Sequence, residues 1–283
     1  MALGLGLAPL AAAEGGATAV GRDLINRYAD ALVNVNLVIA LKAVVSGQTL
    51  PSREIKREVS ATVISPDGLA VVSLVALDPG EILEGMRINT PKGPVRIESV
   101  TSEFKEVKMR KADGTEVAAR VLLKDNDLDL AFICPVKDAA PGRFAWVDLS
   151  KEASPDLLAT GYVLTRAGRG LQGTPLVRRS DILGIVEKPR RILVIEYTAP
   201  GNPMFDEKGR VYGFCARHMV NGRLAGNVVL SPSDVAEMAE QAEAAREAAD
   251  ASPAPAAPPE TAPAPPEPAP APSVEETAAP PAK

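Results

Sequence analysis

A chain of 283 residues with 46% hydrophobic content can build one large domain or two small ones, and with 4% aromatic residues the core must be mostly Val, Leu, Ile and Ala. The net charge is -5, with Lys and Arg spread along the chain, which excludes the basic footprint of a nucleic-acid binder. Such a chain suits peptides or proteins as partners.

Residues 2–13 form an apolar stretch ending in Ala11-Ala12-Ala13, which fits the apolar region and small-residue cleavage site of a secretory signal, although the positive leading segment is missing. Residues 1–21 are therefore expected to be a leader and flexible N-terminus, and the protein is expected to be exported, periplasmic or extracellular. The stretch is too short to span a bilayer as a helix, and no transmembrane segment is expected in the mature chain. Residues 22–31 place Leu24, Ile25 and Tyr28, with Leu32 beyond, on one helical face. The alternating run from Leu32 to Ile39 then changes period and predicts a first strand.

Glu58–Ile64 and Leu69–Ser73 read as two strands joined by the turn Ser65-Pro66-Asp67-Gly68. Further strands are expected near 95–110, 115–123 and 129–134, with Asp113-Gly114 turning between the first two. The second half predicts strands near 157–165, 172–187, 192–198, 210–217 and 226–230. Ser231-Pro232-Ser233-Asp234 is a capping box with Pro at the first helical position, opening a helix to about residue 249. From 251 to 283 the chain is almost entirely Ala, Pro and Glu and holds 12 of the 26 prolines. Such a segment cannot bury enough apolar surface to offset its conformational entropy, so it is expected to be a disordered tail. Short, evenly spaced strands without βαβ alternation predict a sandwich or barrel.

Three internal segments, in order, carry a family resemblance. Val63-Ile64-Ser65-Pro66-Asp67-Gly68-Leu69-Ala70-Val71-Val72-Ser73 resembles the run leading to the catalytic histidine of HtrA-type trypsin-like proteases. Asp113-Gly114 through Val121, then Asp125 to Ile133, resemble the segment holding that family's aspartate. Thr198-Ala199-Pro200-Gly201-Asn202-Pro203-Met204-Phe205 is similar to its nucleophile loop, and the helix after Ser231 matches its layout. The resemblance spans roughly residues 22–245. It implies an all-β fold of two six-stranded antiparallel β-barrels with a short N-terminal and a C-terminal helix. The implied domains are 22–147, the first barrel with its helix, and 148–250, the second barrel with its helix.

Carried over residue by residue, the family's histidine falls on Val75, its aspartate on Asp129 and its serine on Pro200, with Thr198, Ala199, Pro200 and Gly201 as the oxyanion loop. A gap in the loop would instead make Gly201-Asn202 the family's Gly-Asn; neither alignment brings a serine. Acyl transfer by this route needs a hydroxyl nucleophile, a proton acceptor and backbone N–H donors. Val75 cannot move a proton, and Pro200 offers neither hydroxyl nor N–H. Loss of one oxyanion donor alone costs about 100-fold to 1000-fold in rate. Thr198, where the family has glycine, is also expected to hinder the turn. The resemblance thus implies a pseudoprotease, with no functional catalytic residue and a peptide or protein ligand in the inter-barrel groove.

Other constellations compete weakly. Cys215 and His218 lie three residues apart, so in a strand they point to opposite faces and form no nucleophile–base pair. His218 reads as a surface or loop-edge residue. Cys134 and Cys215 sit in apolar strand contexts and read as buried thiols, although one disulfide is compatible with their spacing. Asp125, Asp127 and Asp129 would share a face if extended, but a turn before a buried strand is the ordinary explanation. The basic clusters Arg178-Arg179 and Lys188-Pro189-Arg190-Arg191 read as a solvated hairpin face. No metal and no cofactor are expected. The rival functions are a hydrolase with an unconventional site and a structural envelope component.

Overall fold

The computed structural model describes residues 11–90, 93–137, 139, 142–220 and 223–251. Residues 2–10 of the signal-like stretch and 252–283 of the expected disordered tail lie outside the described residues. The chain enters through α1 (Ala11–Tyr28), a 3-10 turn (Ala29–Ala31), β1 (Leu32–Val45), β2 (Gln48–Thr49) and β3 (Arg53–Val63). It continues through β4 (Ala70–Ser73), α2 (Leu74–Leu77), α3 (Gly80–Leu83), β5 (Arg87–Thr90), β6 (Gly93–Arg110), β7 (Glu116–Asp125) and β8 (Leu130–Pro135). The second half holds β9 (Thr160–Arg166), β10 (Pro175–Val186), β11 (Ile192–Ile195), β12 (Pro203–Phe205), β13 (Val211–Val220), β14 (Arg223–Leu230) and α4 (Pro232–Ala251).

Two closed six-stranded antiparallel barrels result, the expected double barrel. In the first, the order β1-β3-β4-β8-β7-β6 closes when β6 returns to pair with β1 from Asn34↔Arg110 to Val45↔Ile97. In the second, β10-β11-β14-β13-β12-β9 forms the ring. The turn at Ser65–Gly68 joins β3 to β4 in the register Ala61↔Val72. The turn at Asp113-Gly114 does the same for β6 and β7, with the Thr115 N–H donating to Asp113 Oδ1 at 2.9 Å.

Period-two alternation divides the most buried strands between two cores. In β8, Ala131 and Ile133 point into the first barrel, while Leu130, Phe132 and Cys134 point outward into a cluster shared by both barrels and the helices. In β13, Cys215 points into the second barrel, while Phe214 and Ala216 join the shared cluster. With few aromatics, the shared cluster relies on Phe132, Phe205 and Phe214, each fully buried and each worth about 1.5–3 kcal/mol of burial. Tyr28 of α1 stacks on Phe205 at 4.3 Å between ring centroids.

The helix ends differ from expectation in an explicable way. Ala-rich residues ahead of 22 have high helix propensity but no apolar period, so periodicity alone starts α1 too late. At α4 the Ser231 cap forms: the Asp234 N–H donates to Ser231 Oγ at 3.1 Å, and that hydroxyl donates to Asp234 Oδ2 at 2.7 Å. Arg246 of α4 then pairs with Asp67, and Arg120 with Asp250, which ties the helix to the first barrel.

Candidate functional site

Of the three residues that the resemblance assigns to a triad, Val75 and Asp129 come together at the end of β4, and the loop carrying Pro200 packs on the β4 backbone through Gly201. β4 ends at Ser73, whose hydroxyl caps α2 by accepting the Ala76 N–H at 3.1 Å. That short helix presents Val75. Asp129 closes the β7–β8 turn with φ +51°, a strained backbone for a residue other than glycine. The turn aims its carboxylate at α2: Oδ1 accepts the Val75 N–H at 2.7 Å, and both oxygens lie within 3.1 Å of the Ser73 hydroxyl.

Arg217 on β13 completes the surroundings, with Nη1 3.4 Å from Asp129 Oδ2. The Asp129 side chain is fully buried, which pushes its carboxyl above the ordinary value against the lowering influence of the Val75 N–H, the Arg217 guanidinium and the Ser73 hydroxyl. Asp129 accepts one backbone hydrogen bond, from Val75, and is otherwise engaged by side chains, as burial requires of a polar group. Ser73 and Arg217 escaped the sequence reading because nothing local marks them: one is a strand-end serine, the other lies in the opposite barrel.

The loop carrying Pro200 packs against the same place. Gly201 has φ +80°, and a Cβ there would fall 2.6 Å from the Val72 Cα, so only glycine lets the loop lie on the β4 backbone. Pro200, Gly201 and Asn202 are all buried. The Gly201 N–H donates to the Cys215 carbonyl at 2.9 Å and the Asn202 N–H to the Ala199 carbonyl at 3.0 Å. Asn202 Oδ1 accepts the Ser60 hydroxyl of the first barrel at 3.0 Å. Thr198, half-buried, donates through its hydroxyl to the Ala216 carbonyl at 3.4 Å. The loop N–H groups at 201 and 202 are thus spent on the fold itself.

The remaining candidates are dispersed. Cys134 and Cys215 are buried free thiols. Burial pushes the Cys215 thiol up to about 11, and its side chain belongs to the interior of the second barrel. His218 corrects the surface or loop-edge reading: it is half-buried within β13, because the strand continues past residue 217, where the local strand signals end. Asp125, Asp127 and Asp129 do not share an extended face; they occupy a turn in which Asp125 accepts the Leu128 N–H at 2.9 Å and the Asp127 carbonyl accepts the Met219 N–H at 2.7 Å.

Arg178 stacks over Tyr197 at 4.1 Å and Arg191 donates to Ser154 Oγ at 2.6 Å, as suits a hairpin face. Lys188 and Arg190 instead line a cavity of about 520 Å³ at the seam, together with His218 and Asp127. Among the described residues, no group of three or more His, Cys, Asp or Glu side chains could hold a metal ion. No helix among them is long and apolar enough to cross a membrane.

No protein-family model matches the chain. No curated protein matches it. Among solved structures, the MamO protease domain from Magnetospirillum magneticum, in its apo form, is similar over 75% of this chain and 97% of that one, at 12% identity and a TM-score of 0.46. The serine endoprotease from Yersinia pestis is similar over 78% of this chain and 65% of that one, at 14% identity and a TM-score of 0.49. The double-barrel architecture stands on the strand pairings of the chain itself.

Proposed function

We propose that this protein is a trypsin-like double barrel without proteolytic activity, which binds a peptide or protein segment and does not cut it. The observation that carries this reading is the environment of Asp129. Its two oxygens are engaged by the Val75 N–H, the Ser73 hydroxyl and Arg217, so the carboxylate serves the packing of α2 and the barrel seam and orients no imidazole. The loop supports the same reading, since Pro200 has no N–H and the neighbouring N–H groups at 201 and 202 donate within the chain. Cys215 offers no substitute nucleophile, being a buried thiol raised to about 11. The apolar stretch over 2–13 supports export.

Incubation of the purified full chain with casein and with a fluorogenic peptide library tests the reading. The expected result is no turnover above buffer, unchanged in Asp129→Ala and Cys215→Ala. Pro200→Ser is expected to stay inactive as well, because Val75 cannot accept the serine proton. Turnover by the wild-type chain that disappears in either Ala variant overturns the proposal.

A further inference from the structure

The seam cavity of about 520 Å³ has a chemistry that the Asp129 site does not share. Its floor is apolar: Leu128 from the β7–β8 turn, Ile192 and Val194 from β11, and Val228 from β14. The register Ala216↔Val228, with His218↔Gly226 two residues on, puts His218 on the same face as that floor. Its cross-strand neighbour is glycine, and a Cβ at Gly226 would meet no atom within 4 Å. The cavity therefore exists where a side chain opposite the imidazole is missing.

The rim carries both signs of charge. Lys188 and Arg190 line it from the β10–β11 connection, and Asp127 from the first barrel. None of the three makes an ion pair among the described residues. His218 lines the cavity from β13. An apolar floor with separated positive and negative groups complements a ligand that has an apolar body and a charge of each sign.

We propose that this cavity binds a short aliphatic peptide with free termini: its carboxylate at Lys188 and Arg190, its ammonium at Asp127, and its side chains on the floor. This rests on the peptide-binding reading above and adds the class of peptide and the residues that select it.

Calorimetric titration of the full chain with the tripeptide Leu-Val-Leu tests it, alongside the N-acetylated, C-amidated and doubly blocked forms. The free tripeptide is expected to bind, and each block to weaken binding by about tenfold at low salt. Asp127→Asn should abolish the response to acetylation only, and Lys188→Ala/Arg190→Ala the response to amidation only. Gly226→Trp, which fills open space without backbone strain, should abolish binding while the thermal unfolding midpoint is kept. Equal binding of free and doubly blocked tripeptides, both lost in Gly226→Trp, overturns recognition of the termini and leaves peptide binding standing. Binding that survives Gly226→Trp overturns the location. Absence of binding by every form overturns the inference alone; the broader reading of a peptide or protein segment held without cleavage does not depend on this cavity, and the digestion assay judges loss of proteolysis separately.

Discussion

At the scale of single residues, two buried aspartates show how surroundings decide the cost of a charge. Burial pushes Asp78 up, but the Lys124 ammonium at 2.7 Å, the Ser102 hydroxyl and the Gly80 N–H outweigh it and hold the carboxyl below its ordinary value. For Asp129 burial prevails, and its carboxyl lies above the ordinary value. The two act oppositely on stability. Asp78 contributes stability that is present above its unfolded value and is lost as pH falls through the lower folded one. The contribution of Asp129 is present below its unfolded value and is lost as pH rises through the higher folded one. Asp78→Asn should therefore lose roughly 1–3 kcal/mol at pH 7. Its urea midpoint should also fall less than that of wild type as pH is lowered below the ordinary aspartate range. An equal fall in both proteins would remove Asp78 from the acid response.

At the scale of elements, local chemistry explains which were legible. The cap at Ser231 and the Pro-Asp-Gly turn announce themselves because the residues that make them are adjacent in the chain. Ser231→Ala should cost about 1 kcal/mol, read by chemical denaturation, because the Asp234 N–H loses its acceptor. Strands β2, β5 and β12 and helices α2 and α3 carry no comparable signal, being two to four residues long. α2 is held from two directions: the adjacent Ser73 hydroxyl accepts the Ala76 N–H, and Asp129, distant in sequence, accepts the Val75 N–H. Pro203 is the first residue of β12, a place where a strand tolerates proline, and β12 pairs with β9 and β13 and is buried throughout.

At the scale of the whole molecule, polar groups fasten one barrel to the other. Arg166, at the end of β9, donates from Nε to the Leu32 carbonyl at 2.6 Å and from Nη1 to the Gly173 carbonyl at 2.7 Å, while Nη2 donates to the Ala29 carbonyl. Burial lowers its pKa, with the Arg110 guanidinium acting in the same direction and the Asp30 carboxylate opposing it. Ser60 joins the seam by accepting the Arg166 N–H and donating to Asn202. Arg166→Ala should cost about 2–4 kcal/mol by leaving those carbonyls unsatisfied. Scanning calorimetry of that variant should split one unfolding transition into two as the barrels uncouple; a single transition at the wild-type midpoint would show the seam to be held by its apolar cluster alone.

The sequence by itself determined the class of this fold. Strand alternation, turn residues at 65–68 and 113–114 and the final capped helix all act over a few neighbouring residues, and local interactions are written in local order. It also brought Val75, Asp129 and Pro200 into question through one resemblance. Only the tertiary structure decided that Ser73 and Arg217 surround Asp129, that the Pro200 loop lies buried on β4, and that His218 faces a cavity. Each of these depends on which strands close a barrel and how two barrels meet, and that pairing is set by burial summed over the whole chain.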